Sequence, residues 1–301
     1  MNVFSQMKYS GRCRASGEWV SGMLKFLLYA FFLTVAPGLA RASETLVYKT
    51  AGDRELKLLV DKPADWKAGD KRPAILFFFG GGWVGGTTGQ FQRHAAYLAT
   101  RGMVGIRVEY RTIPEGDGGP PLDCCADAKS AMRYVHGHAA ELGIDPDRIA
   151  AGGGSAGGHL AAFTALIDGL DDPQDDASVP CKPKALVLFN PVFDNGPGEW
   201  GSERVGKRFR EFSPAHNIKE GAPPTIVVLG DKDDLISVDV VKKYGAAMKK
   251  AGSRCDLHFY PKVGHGFFNR PDYYLLTMVE TDRFLASLGW ITGEPKLAAV
   301  K

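Results

Sequence analysis

Short apolar runs alternate with longer stretches of helical periodicity along most of this chain. The runs Ala74–Phe79 and Val104–Val108 are almost uniformly apolar, whereas Glu55–Val60 alternates between apolar and polar positions. Uniform runs are typical of parallel strands covered on both faces, and alternation is typical of a strand with one wet face. The predicted strands are 55–60, 74–79, 104–108, 148–151, 185–189, 225–229 and 257–260.

The segments between these strands predict helices. Within 123–142, Ala128, Ala131, Met132 and Val135 recur at spacings of three and four residues. The predicted helices are 123–142, 155–167, 238–250 and 273–288. Alternation of strand and helix predicts an α/β fold with a mostly parallel sheet. The motifs below are spread along most of the chain and need each other, which indicates one domain over residues 43–301.

Three stretches show neither the periodicity of a strand nor that of a helix. Glu115–Pro121 is predicted as a loop, and the acidic, proline-containing Asp168–Pro183 as a solvated loop. Asp194–Pro224 mixes charges, aromatic residues and Gly/Pro breaks.

The first 42 residues have the pattern of a signal peptide. A basic lead is followed by the apolar run Phe26–Val35, a Pro-Gly break and the small residues of Ala40-Arg41-Ala42. The apolar run is too short to span a bilayer comfortably. We expect an exported protein, periplasmic or extracellular, that starts at Met1 or Met23 and has no stable membrane insertion after cleavage. An uncleaved N-terminal anchor is the alternative.

Charge and cysteine content limit the class of partner. Removal of residues 1–42 takes away five of 37 Lys/Arg and one of 34 Asp/Glu residues, which leaves a formal net charge of −1. The sequence contains no basic patch of the kind that would indicate binding to nucleic acid. The cysteines match no zinc template, and an oxidising compartment would permit disulfides whose pairing the sequence leaves open. The cysteines concerned are Cys124, Cys125, Cys181 and Cys255.

The residues Gly153-Gly154-Ser155-Ala156-Gly157 stand between a predicted strand and a predicted helix. This is G-x-S-x-G in a strand–turn–helix context, where a tight turn strains the serine and exposes its hydroxyl. The first N–H groups of the helix point to the same place. The pattern favours Ser155 as a nucleophile, and the alternative is a glycine-rich turn with an incidental serine.

A second glycine-rich segment, Gly80-Gly81-Gly82-Trp83, follows an earlier strand. Glycines let the backbone approach a substrate carbonyl and turn N–H donors inward, as an oxyanion hole requires. A dinucleotide loop is the alternative, because Gly80-x-Gly82-x-x-Gly85 fits G-x-G-x-x-G and Glu109 follows the next strand. That alternative leaves the serine turn unexplained, and neither a cofactor nor a metal is predicted.

A serine hydroxyl needs a base, and a base needs an acid to orient it. His265 lies between glycines after the last predicted strand, in a loop free to reach a site. Asp231, Asp233 and Asp234 compete for the role of the acid after the strand that ends at Leu229. The order serine, aspartate, histidine fits a serine turn of this kind. His94 and His216 remain weaker candidates, and His159 is predicted to pack. His136 and His138 are predicted to lie on the surface of a helix, and His258 to pack or face solvent.

These motifs together resemble the α/β-hydrolase superfamily, and most closely its bacterial esterases of the hormone-sensitive-lipase-like and acetyl- or feruloyl-esterase-like kinds. The resemblance covers about Val60–Leu288. It implies a sheet of about eight strands with helices on both faces and the site at the C-terminal ends of the strands. By the same resemblance Ser155 is the nucleophile, His265 the base and Asp233 the acid. The N–H groups of Gly81, Gly82 and Ala156 would form the oxyanion hole.

The chain departs from that family in three places. Phe79 stands where many members have histidine, and Gly154 stands where many have aspartate. Little sequence separates residue 43 from the glycine loop, so we expect a small cap or none. We expect Asp194–Pro224 to act as a lid, with Trp200, Phe209 and Phe212 available to an acyl or aromatic group.

The resemblance implies hydrolysis of a small-molecule or carbohydrate ester through an acyl-enzyme, without cofactor or metal. Short acyl esters on plant or algal polysaccharides are the expected substrates of an exported member. Two alternatives remain, a peptidase or amidase of the same fold and a non-catalytic binding scaffold. The pattern leaves the natural acyl and alcohol groups and the oligomeric state open.

Overall fold

The computed structural model describes residues 43–297, so the signal-peptide prediction for residues 1–42 lies outside the described part. One sheet of eight strands forms its centre, in the order β1-β2-β4-β3-β5-β6-β7-β8. The strands are β1 Glu44–Ala51, β2 Arg54–Asp61, β3 Arg72–Phe78, β4 Val104–Val108, β5 Ile144–Gly154, β6 Ala185–Phe189, β7 Thr225–Gly230 and β8 Cys255–Tyr260.

The sheet is mostly parallel, as the pattern predicts. β1 pairs antiparallel with β2, and β2 pairs antiparallel with β4, whereas all pairs from β4 to β8 are parallel. β1 was not among the strands predicted individually. It is an edge strand with a single buried residue, Tyr48, so its sequence has no apolar run from which a strand could be predicted.

Helices cover both faces of the sheet. Along β3, Ala74, Leu76 and Phe78 enter one core and the intervening Ile75 and Phe77 enter the other. Successive side chains of a strand point to opposite faces, so a uniformly apolar strand supplies two cores at once. The helices are α1 Gln92–Thr100, α2 Leu122–Gly137, α3 Ala156–Leu166, α4 Ser202–Val205, α5 Phe209–Phe212, α6 Val238–Lys250 and α7 Pro271–Ser287.

The predicted helix boundaries agree closely with the structure except at the end of α2. That helix ends at Gly137, and residues 138–143 form turns instead of the predicted continuation to 142. The carbonyl of Leu142 accepts a hydrogen bond from the indole N–H of Trp66 at 2.9 Å. A tertiary contact therefore takes the place of the last helical turn.

The acidic stretch Asp168–Pro183 is a largely exposed loop, as its composition predicts, but two of its aspartates form ion pairs with cations of other elements. Asp172 pairs with Lys49 of β1 at 2.5 Å, and Asp171 pairs with Arg133 of α2 at 2.7 Å. The lysine and arginine side chains are 8% and 11% exposed, so these pairs are largely withdrawn from water. The loop supplies anions to cations that the core has partly buried.

Residues 194–224, the stretch expected to act as a lid, contain α4, α5 and short 3₁₀ turns. Cys124, Cys125, Cys181 and Cys255 are free thiols. No helix within residues 43–297 is long and apolar enough to cross a membrane.

Candidate active site

Ser155 lies in the turn between β5 and α3, at the C-terminal edge of the sheet. Its backbone has φ 53° and ψ −119°, a conformation that a residue with a side chain rarely adopts. Two hydrogen bonds hold that conformation. The Ser155 N–H donates to the carbonyl of Phe189 at 2.9 Å, and the Val192 N–H donates to the carbonyl of Ser155 at 3.2 Å. The strain is therefore maintained by the loop after β6.

Glycines make this turn possible because other backbone comes too close for a side chain. A Cβ on Gly157 would lie 2.0 Å from the carbonyl oxygen of Phe78, and one on Gly80 would lie 2.6 Å from that of Gly154. Both distances are far below van der Waals contact. The glycine loop after β3 and the serine turn after β5 are thus packed directly against each other.

The structure brings Ser155, His265 and Asp233 together from three separate loops. Nε2 of His265 lies 2.8 Å from Oγ of Ser155, and Nδ1 lies 2.8 Å from Oδ2 and 3.1 Å from Oδ1 of Asp233. The side chain of Asp233 is completely buried and that of His265 is 18% exposed. Asp231 and Asp234, the two competing aspartates, are exposed.

Asp233 is itself fixed by its own loop. Its Oδ1 accepts hydrogen bonds from the N–H groups of Leu235 at 3.0 Å and Ile236 at 2.9 Å. These bonds orient one carboxylate oxygen and leave the other facing the imidazole. With Asp233 accepting from Nδ1–H, Nε2 of a neutral imidazole is the acceptor that faces the serine hydroxyl.

Asn190 belongs to the site although the sequence pattern did not single it out. This fully buried residue directly follows β6, and its Nδ2 lies 3.3 Å from Nε2 of His265. Its Oδ1 accepts a hydrogen bond from the Gly266 N–H at 3.2 Å. The one available signal was its position, a polar residue at the end of a strand that neighbours the serine strand.

The glycine loop places three successive residues in positive φ, with Gly81 at 132°, Gly82 at 62° and Trp83 at 65°. A Cβ on Gly81 would lie 2.3 Å from the carbonyl oxygen of Gly85. Within residues 43–297, no backbone or side-chain acceptor takes the N–H of Gly81, Gly82 or Ala156. Free N–H donors beside a strained serine are what an oxyanion hole requires.

The structure explains the two departures in the motifs. Phe79 is buried and stacks on Tyr110 with ring centroids 4.1 Å apart, and the Tyr110 hydroxyl donates to the Phe79 carbonyl at 2.6 Å. An aromatic stack thus braces the glycine loop. At Gly154 a Cβ would lie 2.4 Å from Cζ of Phe268, so the ring of Phe268 occupies the space that an aspartate would need.

The other histidine candidates lie elsewhere. His94 is fully buried in α1, where burial lowers its pKa to about 3. His216 bonds the Ser213 hydroxyl at 2.8 Å. His159 packs, as predicted, and its Nε2 bonds the Phe212 carbonyl at 2.7 Å, while burial lowers its pKa to about 4. His136 and His138 are half-buried instead of lying free on the surface.

Only part of the predicted aromatic lid is available to a ligand. Trp200 is partly exposed and packs against Trp83, with ring centroids 4.9 Å apart and ring planes tilted by 48°. Its ring lies 3.7 Å from the place of a Cβ on Gly82. Phe212, by contrast, is completely buried in the core. The prediction that Phe212 is available to a substrate is therefore wrong, because its ring packs inward while its carbonyl bonds His159.

The dinucleotide alternative does not fit the glycine loop. Its fingerprint needs a helix that opens directly on the glycines. Here a 3₁₀ turn at Thr88–Phe91 comes first, and α1 begins only at Gln92. Glu109 pairs with Arg54 of β2 at 2.9 Å. Within the described residues, no group of three His, Cys, Asp or Glu side chains is arranged to hold a metal ion.

Comparison with known families divides the chain into two overlapping matches. The BD-FAE family matches residues 62–194, which include the glycine loop and the serine turn. The prolyl oligopeptidase family matches residues 185–286, which include Asp233 and His265. Together the matches extend from residue 62, just after β2, to residue 286 in α7, and so include strands β3 to β8.

Individual proteins resemble the chain over most of its length. Carboxylesterase NlhH of Mycobacterium tuberculosis is 37% identical over 241 residues, which cover 73% of this chain and 74% of NlhH. Esterase LipC of the same species is 28% identical over 65% of this chain, which spans about half (53%) of LipC. The apo structure of Thermogutta terrifontis esterase 2 superposes with a TM-score of 0.80 at 41% identity, covering 86% of this chain and 99% of that one.

Proposed function

Because the chain belongs to the α/β-hydrolase serine esterases of the hormone-sensitive-lipase-like type, we propose that it hydrolyses carboxylic esters with Ser155 as the nucleophile. One observation carries the proposal. Nε2 of His265 is 2.8 Å from the Ser155 hydroxyl, and its Nδ1 is 2.8 Å from the buried carboxylate of Asp233. A base within hydrogen-bond reach of the nucleophile, itself oriented by an acid, is the arrangement that activates a serine.

In the first step the Ser155 oxygen attacks the ester carbonyl carbon while its proton passes to Nε2 of His265. The carbonyl oxygen becomes an oxyanion and accepts hydrogen bonds from the N–H groups of Gly81, Gly82 and Ala156. Loss of one such donor costs roughly 3 kcal/mol of transition-state stabilisation. Collapse of the tetrahedral intermediate breaks the ester C–O bond, and Nε2–H protonates the leaving alkoxide.

In the second step water hydrolyses the acyl-enzyme. His265 takes a proton from the water as its oxygen attacks the acyl carbon, and then returns that proton to the Ser155 oxygen as the carboxylic acid leaves. Asp233 holds the His265 ring in the same orientation in both steps. All proton transfers run through Nε2, so no group outside these side chains and the backbone donors is required.

We place the preferred acyl groups among the short ones. Thermogutta terrifontis esterase 2 has been solved with propionate and with butyrate bound. In this chain the Trp200 ring stands beside Gly82, close to where the acyl carbonyl would sit. A large aromatic ring at that place limits the room for a long chain and offers apolar contact to a short one.

The decisive experiment compares wild type with Ser155→Ala on p-nitrophenyl esters from acetate to dodecanoate. We expect turnover that is greatest for the short esters and is abolished in Ser155→Ala. A fluorophosphonate probe should label wild type and not the variant, and paraoxon has phosphorylated the Thermogutta esterase. Equal inactivity of both proteins, without labelling, would favour the binding scaffold.

A peptidase or amidase is the second candidate, because the prolyl oligopeptidase family matches the part of the chain that holds Asp233 and His265. The same chemistry cleaves amides as well as esters. Peptidyl p-nitroanilides offered in parallel with the esters distinguish the two. Amide turnover comparable to ester turnover would replace the esterase assignment, whereas ester turnover alone would retain it.

We also propose that residues 1–42 direct export and that the natural substrate is an external ester, such as an acetylated polysaccharide. The basic lead, short apolar run and small-residue site support this. N-terminal sequencing of the protein recovered from a secreting host should begin after Ala42. Acetate release from acetylated xylan or pectin tests the substrate, and absence of release from both would count against it.

A further inference from the structure

Asn190 contacts the proposed base through an amide whose orientation is fixed. The Gly266 backbone N–H can only donate, so the atom of Asn190 that faces it at 3.2 Å must be the oxygen. The nitrogen of the same amide therefore faces Nε2 of His265, at 3.3 Å. Asn190 has φ 34° and is fully buried, so the loop holds it in an uncommon conformation at this place.

The same loop holds the nucleophile. Phe189, immediately before Asn190, accepts from the Ser155 N–H, and Val192, shortly after it, donates to the Ser155 carbonyl. One short segment thus grips the backbone of Ser155 on both sides and reaches His265 through its side chain. The relative position of serine and imidazole depends on this segment as well as on Asp233.

Two donors converge on Nε2 of the neutral imidazole. With Nδ1–H bonded to Asp233, Nε2 carries a lone pair, and both the Ser155 hydroxyl and the Asn190 amide point O–H or N–H groups at it. When Nε2 takes up a proton it becomes a donor itself and faces the donor of Asn190. A hydrogen bond to the neutral form of a base disfavours its charged form.

We propose that Asn190 is a positioning residue that donates a hydrogen bond to the neutral Nε2 of His265 and so favours the form of the base that can accept the Ser155 proton. This inference rests on the proposed function, in which His265 is the base. It adds a tuning element on the Nε2 side of the ring, opposite to Asp233 on the Nδ1 side.

Few charged side chains lie near the His265 ring. Among residues 43–297, Asp233 is the charged side chain within ion-pair distance of His265. Asp231, Lys232 and Asp234 share its loop and are exposed. On the α3 side the titratable group is His159, which is bonded to the Phe212 carbonyl. All of these stay the same in the variants below.

Two variants of Asn190 distinguish an effect of its amide on the His265 ring from a purely structural role. Asn190→Asp is isosteric and keeps an acceptor for Gly266, but it places a carboxylate beside Nε2 and so favours the imidazolium. Asn190→Ala removes the donor without adding charge. Asn269→Asp is the matched control, since Asn269 is exposed on the same loop and bonds the Gly266 carbonyl instead of the ring.

The measurement is the protonation midpoint of the His265 ring by NMR of histidine-labelled protein, assigned against His265→Gln. The acidic limb of kcat/KM for p-nitrophenyl acetate is followed in parallel. We expect both midpoints to rise by about one to three pH units in Asn190→Asp. A smaller rise is expected in Asn190→Ala and no rise in Asn269→Asp, while activity of Asn190→Asp recovers at high pH.

Unchanged or lowered midpoints in Asn190→Ala, with kcat reduced equally at every pH, would mean a purely structural role and overturn the proposal, because the carboxylate added in Asn190→Asp raises the midpoint by itself. An equal rise in Asn269→Asp would also overturn it, because a general charge effect would then suffice. Should Asn190→Asp not fold, Asn190→Ala decides by the same criterion. Should wild type hydrolyse no ester, the proposed function fails, and the NMR midpoints still decide the role of Asn190.

Discussion

At the scale of single residues, environment separates histidines that the sequence presents as similar. His265 reaches a serine hydroxyl and a buried carboxylate. His94 is surrounded by aromatic rings, with Tyr274 edge-on at 4.9 Å between centroids and Phe91 at 4.8 Å. Neither ring nitrogen of His94 has a hydrogen-bond partner among the described residues. Such a ring packs as an apolar group and resists protonation.

His94 should therefore make the protein less stable in acid. Its folded-state pKa of about 3 lies below the unfolded value of about 6.5, so below pH 6.5 only the unfolded chain takes up the proton. This stability is fully present above pH 6.5 and is lost as the pH falls toward 3, by about 1.4 kcal/mol per pH unit. Measured by urea unfolding, the free energy of unfolding of His94→Leu should rise relative to that of wild type by about 1.4 kcal/mol for each pH unit below 6.5. Parallel pH dependences would contradict the assignment.

The three aspartates after β7 should separate clearly by mutation. Asp233→Asn should lower kcat by roughly 10⁴ at neutral pH, because an amide stabilises neither the imidazolium nor the tautomer that accepts from Ser155. Asp231→Asn and Asp234→Asn are controls of the same chemistry on the same loop, and both side chains are exposed. They should retain kcat within a few-fold for p-nitrophenyl acetate. Comparable losses in all three would remove Asp233 from its role.

At the scale of elements, the serine turn works because several loops approach it without side chains. The Phe268 ring, from the 3₁₀ turn that follows His265, lies against Gly154. The carbonyl of Phe78, at the end of β3, lies against Gly157, and Gly80 of the glycine loop lies against the carbonyl of Gly154. The geometry of the turn is thus set jointly by the loops after β3, β5 and β8. None of them alone would hold Ser155 in its strained backbone conformation.

Gly154→Ala should damage the turn through Phe268. The new methyl would sit 2.4 Å from the ring, and overpacking of this kind costs about 1–3 kcal/mol and displaces the neighbouring serine. Gly154→Ala/Phe268→Leu should lose less than the sum of the single variants in both unfolding free energy and kcat. Gly118→Ala, where a Cβ meets nothing within 4 Å, is the control. Additive losses would show that Phe268 is not the obstacle.

At the scale of the whole molecule, a buried ion cluster ties the antiparallel edge to the helical layer. Asp127 of α2 is completely buried and pairs with Lys49 at 2.8 Å and with Arg111 at 2.7 Å. Asp172 of the acidic loop also pairs with Lys49. Elements distant in sequence are joined there by charges that are withdrawn from water. The arrangement makes each partner dependent on the others.

Removal of Asp127 should be strongly destabilising. Asp127→Ala leaves Lys49 and Arg111 without their shared buried anion, and breaking a buried pair from one side costs about 3–5 kcal/mol. Asp147→Ala, which removes the 84% exposed partner of Lys184, should cost less than about 1 kcal/mol. Urea unfolding midpoints measure both. An equally small loss of stability in both variants would mean that water solvates Lys49 and Arg111 once Asp127 is removed.

The local pattern of the sequence determined the parallel strands and the boundaries of α3, α6 and α7, and it identified the proposed reacting groups. Uniform apolar runs can only be covered on both faces, and a serine between small residues directly after such a strand is typical of a nucleophile held in a tight turn. The resemblance to the family, whose acid is the third residue after the glycine at Gly230, then favoured Asp233 among three aspartates. These features depend on neighbours within a few residues or on fixed order along the chain.

Only the tertiary structure decided the features that depend on distant partners. Edge strand β1 carries no apolar run, α2 ends where Leu142 meets Trp66, and the acidic loop is ordered by Lys49 and Arg133. Phe212 turned inward, and Asn190 entered the site because β6 lies beside β5 in the sheet. Burial and hydrogen bonding between segments far apart in sequence have no signature in local periodicity. The sequence therefore determined the fold and the residues proposed to react, and the folded chain decided which other side chains surround them.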